Sequence, residues 1–226
     1  MSQPSREDSL NYLRQTIDLA RQSPPKPTNF RVGCIIVAFS DVNAPHILST
    51  GFTLELPGNT HAEQCALSKL AAKHSISEES ISLSFQPQSN AVLYTSLEPC
   101  GKRLSGNLPC VQRIIATRKD NPDGGIRKVV FGAKEPGTFV QDSQSCKLLT
   151  EAGIAWEYLP EFEQDILQVA MEGHAKDASS ISKQDAMSSN EQNDKGMKSS
   201  AEEQERVRAE AAPRNPKKRM MDTALD

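Results

Sequence analysis

The chain has 226 residues, of which 37% are hydrophobic, enough for one domain with its own core and an additional segment. Its 26 basic and 29 acidic residues give a formal net charge of −3, so the composition provides no field for binding nucleic acid. The N-terminal sequence lacks a signal-peptide pattern, and no run of about 18 apolar residues occurs, so we expect an intracellular protein without a membrane partner.

The first third of the chain predicts a helix, a hairpin and a second helix. Apolar residues recur at intervals of three and four over residues 6 to 22, which indicates an amphipathic helix that the following prolines end. The runs "FRVGCIIVAF" (30 to 39) and "HILSTGFTLEL" (46 to 56) predict an antiparallel hairpin. The segment "HAEQCALSKLAAKH" (61 to 74) predicts a buried helix.

Strands and helices continue to alternate beyond this point. We predict a strand at 90 to 97, a helix at 109 to 118 with a proline in its first turn, and a strand at 127 to 133. A helix at 145 to 153, which stops at its glycine, and a strand at 154 to 159 follow. The alternation predicts an α/β fold with a mixed sheet covered on both faces.

A charged segment ends the chain. Past about residue 175 the composition changes to Ser, Lys, Glu, Gln, Asn and Asp, which is typical of disorder. We therefore predict a domain over residues 1–174 and a tail over residues 175–226. The tail segment "PRNPKKRM" (213 to 220) resembles a short nuclear-import signal, so we expect a cytoplasmic protein for which nuclear import is an alternative.

Four residues form a candidate catalytic constellation. A catalytic zinc takes three protein ligands, and His61, Cys100 and Cys110 provide such a set. His61 opens the second helix, for which we expect Asn59 or Thr60 as the N-cap. Glu63 lies two residues along that helix, about 200° around its axis, so it is placed as a general acid/base rather than as a ligand.

The other cysteines have a simpler interpretation. A histidine two residues before a glutamate is unspecific by itself, and paired cysteines are common in cores. Only the combination of these residues indicates a zinc site. We assign Cys34, Cys65 and Cys146 to core packing, because each falls on a predicted apolar strand or helix.

The motifs resemble a known family. "HAE" (61 to 63) and "PC" (99 to 100) are similar to the signature of the zinc nucleobase deaminases, except that nine residues separate the cysteines instead of two. The longer form "EPCGKRLSGNLPC" resembles the fungal pyrimidine deaminases of riboflavin biosynthesis. Further similar segments are "NFRVGCIIV", "THAEQCAL" and "EPGTFV", so the resemblance covers roughly residues 8 to 160.

The resemblance implies a fold and an activity. The fold would be cytidine-deaminase-like, a three-layer α/β/α arrangement with a mixed five-stranded sheet between helices. The activity would be hydrolytic removal of the 2-amino group of 2,5-diamino-6-(ribitylamino)-4(3H)-pyrimidinone 5'-phosphate, with Zn2+ as cofactor and Glu63 as the proton carrier. The same resemblance implies a homodimer.

Substrate contacts are expected around the metal. In the matching family segments Asn29 lies where an amide can pair with the pyrimidine edge, and Glu135 is a candidate for the ribityl chain. The loop between the cysteines offers two cations and two short polar groups for the phosphate and the ribityl hydroxyls. These loop candidates are Lys102, Arg103, Ser105 and Asn107.

Two other functions remain open at this stage. A nucleoside or tRNA deaminase shares the zinc chemistry but typically keeps its cysteines two residues apart. A binding module that zinc merely stabilises has no use for a carboxylate beside an open coordination position, so Glu63 argues against it. We find no G-x-G-x-x-G fingerprint for a reductase step, which favours deamination alone.

Overall fold

The structure is a computed structural model. It describes residues 3–40, 44–86, 89–119, 121, 123–136 and 144–174. The chain divides into two units, Met1–Lys176 and Asp177–Asp226, and every described residue belongs to the first. The predicted tail with its "PKKR" segment lies outside the described residues, so the domain boundary after residue 174 stays a prediction.

One mixed sheet organises the domain. Its strands are β1 Gly33–Ala38, β2 His46–Phe52, β3 Ala91–Leu97, β4 Ile126–Ala133 and β5 Ala155–Tyr158. Their spatial order is β2-β1-β3-β4-β5. The pairs β1/β2 and β1/β3 are antiparallel, whereas β3/β4 and β4/β5 are parallel. The predicted hairpin and the predicted mixed five-stranded sheet are confirmed.

Helices cover both faces of the sheet. They are α1 Arg6–Ala20, α2 Ala62–Lys73, α3 Cys110–Ala116, α4 Ser145–Glu151 and α5 Glu163–Ala170, with short 3-10 helices at Glu78–Ser84 and Pro160–Phe162. Side chains of α2, α3 and α4 pack on one face, and those of α1 and α5 pack on the other. This confirms the three-layer arrangement.

The alternation of side chains along β1 explains the layers. Cys34 and Ile36 belong to the apolar cluster under α2, whereas Ile35 and Val37 belong to the cluster under α1. All four are at most 1% exposed. A strand buried on both faces reads as a continuous apolar run, which is why the segment could be recognised from its sequence.

Two predicted helix starts are wrong by one or two residues. The N-cap of α2 is His61, because the Thr60 hydroxyl donates to the carbonyl oxygen of Leu56 and the Asn59 side chain accepts from Asn29. Both side chains are thus used before the helix begins. Pro109 is the N-cap of α3 and lies just before its first turn, where its missing N–H costs nothing.

The helix α5 and the two 3-10 helices were not predicted from the sequence. In α5 the residues Ile166, Val169 and Ala170 share a buried face, so a short apolar stripe was present to indicate this helix. Among the described residues, no helix combines the length and apolarity needed to cross a membrane.

Candidate active site

The predicted metal ligands lie together at one edge of the sheet. The Nδ1 atom of His61 is 3.6 Å from the Sγ of Cys100 and 3.4 Å from the Sγ of Cys110. The three donor atoms are all within 4.8 Å of one another. One nitrogen and two sulfurs at this separation fit a tetrahedral ion that keeps one position open.

Close packing of α2 on β2 places His61 in this cluster. A Cβ at Gly51 of β2 would lie 2.3 Å from the carbonyl oxygen of Ala62, so the glycine allows the first turn of α2 to approach the strand. Cys100 follows the end of β3, and Cys110 begins α3. Three separate elements therefore deliver the three donors.

The two thiols of the cluster differ in pKa. Hydrogen bonding from Cys110, aided by His61, lowers the pKa of Cys100 to about 4. The same contact, together with burial, raises the pKa of Cys110 well above the ordinary value of a thiol. Cys100 is consequently the first thiolate of the pair, and a bound cation would ionise both, since a coordinating thiol is deprotonated.

Glu63 lies beside this cluster in the first turn of α2. Its side chain is only 3% exposed. Burial, and then the negative charge of Cys100, raises the pKa of the Glu63 carboxyl, an effect that nearby His61 opposes. A carboxyl with a raised pKa accepts a proton more readily than a free carboxyl and can then return it, as general acid/base catalysis requires.

The metal cluster and Glu63 line one cavity of about 150 Å³. Predicted site residues that line the same cavity are Asn29, Lys102, Arg103, Ser105 and Glu135. Asn107, by contrast, is exposed and is not part of the described lining. The cavity forms where the carboxyl ends of β3 and β4 meet the beginning of the antiparallel strand β1.

Asn29 is held in an amide network at the cavity wall. Its Nδ2 atom donates to the Oδ1 of Asn59 at 2.7 Å, and its Oδ1 accepts from the hydroxyl of Thr28 at 2.8 Å. Each amide atom retains one further hydrogen-bonding position, so Asn29 could present a donor and an acceptor to a pyrimidine edge.

Arg103 contacts protein groups. It is 8% exposed, and its guanidinium donates to the Oε1 of Gln64 at 3.1 Å and to the carbonyl oxygen of Asn59 at 2.6 Å. Lys102 and Ser105, in contrast, are exposed at the cavity rim. The loop thus directs one cation inward to the protein and leaves another at the mouth of the site.

Two carboxyls form the opposite wall. Burial, and then the charge of Cys100, raises the pKa of Glu135 to about 8, and its Oε2 atom has no hydrogen-bond partner among the described residues. Glu98 accepts hydrogen bonds from the Ser145 hydroxyl and the Cys146 thiol. Glu98 was not among the residues predicted from the sequence, although it directly precedes the Pro-Cys dipeptide at a strand end.

The remaining cysteines lie outside the metal cluster. Cys34 and Cys65 are fully buried in the apolar core, as expected. Cys146 is partly buried against that core and also contacts Glu98. Core packing is therefore confirmed for two of the three, and Cys146 combines packing with a polar contact at the edge of the site.

The fold and the site together define a class of protein. A three-layer α/β/α domain with a His/Cys/Cys cluster at a helix start, and a buried glutamate that is not a ligand, has the arrangement of a zinc-dependent nucleobase deaminase. Comparison of the sequence with known protein families agrees, because residues 6–132 match the family described as "Cytidine and deoxycytidylate deaminase zinc-binding region". The chain belongs to this family.

One relative within this family is a deaminase that acts on a pyrimidine. The chain is 32% identical over 163 residues to the diaminohydroxyphosphoribosylamino-pyrimidine deaminase of Schizosaccharomyces pombe, a match that covers 72% of this chain and 35% of the relative. The chain thus spans about a third of that relative's length. The resemblance deduced from the motifs is confirmed.

Solved structures that are similar to this chain are also of deaminases. A C-terminal deletion mutant of the Aspergillus oryzae Rib2 deaminase is 51% identical with a TM-score of 0.69, and the match covers 74% of this chain and 93% of that one. The same Rib2 deaminase in complex with DARIPP is 50% identical, with a TM-score of 0.68 and coverage of 74% and 91%.

Proposed function

We propose that the protein is the hydrolytic deaminase of riboflavin biosynthesis that removes the 2-amino group of 2,5-diamino-6-(ribitylamino)-4(3H)-pyrimidinone 5'-phosphate. The observation that carries this proposal is the position of Glu63, a buried carboxyl in the same cavity as the His61/Cys100/Cys110 cluster. The similarity to the A. oryzae Rib2 deaminase, half of whose aligned residues are identical, supports this substrate over other pyrimidines.

The donor set fits zinc. Two thiolates and an imidazole suit this borderline-soft ion, and three protein ligands leave a fourth position open toward the cavity. His61, Cys100 and Cys110 would hold the ion. When bound, zinc would supply the nucleophile by lowering the pKa of a water ligand toward about 7.

Glu63 performs the proton transfers. It accepts a proton from the attacking water and delivers it to the ring nitrogen next to C2, while the water oxygen bonds to that carbon and makes it tetrahedral. Glu63 then moves the remaining hydroxyl proton to the amino group. The C–N bond breaks, ammonia leaves, and the C2 carbonyl forms, so one water is consumed for each ammonia released.

The cavity wall recognises the substrate. The Asn29 amide pairs with the pyrimidine edge, the Lys102 ammonium at the rim binds the phosphate, and Ser105 and Glu135 face the ribityl hydroxyls. Arg103 contributes indirectly, because its guanidinium already binds Gln64 and the carbonyl of Asn59. Lys102 is thus assigned to the phosphate, whereas Arg103 holds the loop between the cysteines against the protein.

The test is ammonia release by the zinc-loaded full-length protein. We expect release from the ribitylamino pyrimidinone phosphate, slower release from the ribosylamino phosphate, and none from cytidine or deoxycytidylate. The Glu63→Gln protein serves as the blank. Release from cytidine or deoxycytidylate, with none from either pyrimidinone, would replace this proposal with a nucleoside or nucleotide deaminase.

Two further properties belong to the same proposal. We propose a homodimer, which light scattering on the zinc-loaded protein would check.

We also propose that the enzyme is cytoplasmic and that the "PKKR" segment at residues 216–219 directs part of it into the nucleus. Imaging of a fluorescent fusion, beside one with both lysines changed to alanine, tests the import, and equal nuclear signals would argue against it.

A further inference from the structure

The last residues of the described domain pack against the segment that carries Asn29. Residues 170–174, which we name the C-terminal clasp, comprise the last residue of α5 and the turn that follows it. The backbone N–H of Arg31 donates to the carbonyl oxygen of Ala170 at 3.1 Å, and the Arg31 guanidinium forms an ion pair with Glu172. Arg31 is 7% exposed, so the clasp meets a largely buried charge.

His174 makes the contact nearest to the active site. Its Nε2 atom lies 3.1 Å from the backbone carbonyl oxygen of Asn29. Because a carbonyl oxygen only accepts, Nε2 carries the proton and donates. The imidazole also stacks on Phe30, with ring centroids 4.9 Å apart and planes at 13°. His174 therefore fixes both the carbonyl of Asn29 and the ring that follows it.

Gly173 gives the clasp its close approach. The residue has φ +93°, and a Cβ there would lie 2.7 Å from the backbone nitrogen of Lys26 and 2.8 Å from the carbonyl carbon of Pro25. Only glycine combines this backbone conformation with such a contact. The positive φ at Gly173 is what directs the His174 ring onto the segment that carries Asn29.

We propose that His174 is a positioning residue for substrate binding, which acts by holding the backbone of Asn29 so that its amide faces the pyrimidine edge. This inference rests on the proposed function, in which Asn29 binds that edge. The backbone at Asn29 is held by His174 on one side, and its side chain is held by Asn59 and Thr28 on the other. Loss of the first contact would let the amide rotate or withdraw, and neither His174 nor Asn29 belongs to the metal cluster.

The test separates the hydrogen bond from the ring stack. In the zinc-loaded full-length protein, His174→Phe keeps an aromatic ring on Phe30 but loses the donor, whereas His174→Gln loses the ring but keeps an amide N–H at the position of Nε2. Loss of one hydrogen bond predicts a KM for the ribitylamino phosphate about 5-fold higher in His174→Phe, with kcat and zinc content unchanged. His174→Gln should stay within two-fold of the wild type.

Asn29→Ala provides the second arm. In that background His174→Phe should have no further effect on KM, because the side chain that His174 positions is gone. His74→Ala, at the exposed end of α2, is the matched control for loss of a histidine. An unchanged KM in His174→Phe, a His174→Gln protein that behaves like His174→Phe, or an undiminished effect in the Asn29→Ala background would each overturn the proposal.

A readout without substrate keeps this inference distinct from the proposed function. In NMR spectra of the 15N-labelled protein, the side-chain amide resonances of Asn29 should shift or broaden in His174→Phe and remain in place in His174→Gln. If the wild type releases no ammonia from either pyrimidinone phosphate, the proposed function fails, and the spectra still decide the role of His174. Unchanged Asn29 resonances in His174→Phe would refute the positioning.

Discussion

The guanidinium of Arg103 donates a 2.6 Å hydrogen bond to the backbone carbonyl of Asn59, two residues before the metal-cluster residue His61. A second bond, at 3.1 Å, reaches the Gln64 side chain in the first turn of α2. Arg103 belongs to the loop between Cys100 and Cys110. The contact therefore joins the segment that carries His61 to the segment that carries both thiols.

Arg103→Ala should therefore impair the enzyme irrespective of the phosphate. A lost charge-assisted hydrogen bond is typically worth about 1.5–3 kcal/mol, which corresponds to roughly 10- to 100-fold in kcat/KM. We expect a decrease of this size on both the phosphorylated pyrimidinone and its dephosphorylated analogue. Steady-state kinetics on the two substrates give the comparison.

Lys102→Ala is the matched variant, because Lys102 is the neighbouring cation and is exposed at the cavity rim. It should raise KM for the phosphorylated substrate only. If Arg103→Ala instead affects the phosphorylated substrate alone, Arg103 is the phosphate contact, as its sequence position first suggested.

The different roles of Lys102 and Arg103 could not be predicted from the sequence. A lysine and an arginine in a polar loop look equivalent in the sequence, since each offers a charge suited to phosphate. The partner of Arg103 is a backbone carbonyl 44 positions away, and no local pattern encodes that contact. The His61/Cys100/Cys110 cluster could be predicted because these residues occur together with Glu63 and two Pro-Cys dipeptides, a combination that is specific although each motif alone is not.

A similar limit applies to the fold. The buried strands were recognisable from their apolar runs, and the antiparallel hairpin from two such runs separated by a short segment. The contact of His174 with Asn29 spans 145 positions and depends on the positive φ of Gly173, which four other described glycines also adopt. Such tertiary contacts leave no periodic signal in the chain.

Metal content tests the cluster directly. The purified protein should hold about one zinc per chain, and a chelator should abolish activity that added zinc restores. Cys100→Ser should lose most of the bound metal. Cys146→Ser, outside the cluster, should retain it. Full zinc occupancy with activity in Cys100→Ser would show that the ion is held elsewhere.

Glu63→Gln should retain the metal and nearly abolish turnover. The amide is almost isosteric with the carboxyl but cannot shuttle protons, and removal of general acid/base catalysis costs about 10²-fold or more in kcat. Glu79→Gln, an exposed carboxyl in the 3-10 helix that follows α2, is the control and should be unaffected. A near-normal rate in Glu63→Gln would mean that another group transfers the proton.

The buried carboxyl of Glu135 should make the metal-free protein less stable as the pH rises. Its folded pKa of about 8 lies above the ordinary value of 4.5, so between these values the folded state binds more protons than the unfolded state. Its contribution to stability is complete below about pH 4.5 and is lost as the pH rises toward about 8.

Glu135→Gln removes this ionisation. Thermal unfolding of metal-free Glu135→Gln and wild type should therefore show a difference in Tm that favours the variant and grows from pH 5 to pH 8. Glu79→Gln, at an exposed carboxyl, gives the baseline. A constant difference across this range would indicate that Glu135 is ionised in the folded protein throughout.

Truncation after residue 176 should leave the kinetics unchanged, because residues 177–226 offer few large apolar groups to offset the entropy of ordering a charged segment on the domain. The cut keeps the C-terminal clasp and places the new carboxylate two residues beyond His174. At matched zinc content we expect kcat and KM within two-fold of those of the full chain. The competing hypothesis is that the tail docks on the domain or on a neighbouring subunit and modulates access to the zinc site. A several-fold change in either constant would support that hypothesis instead.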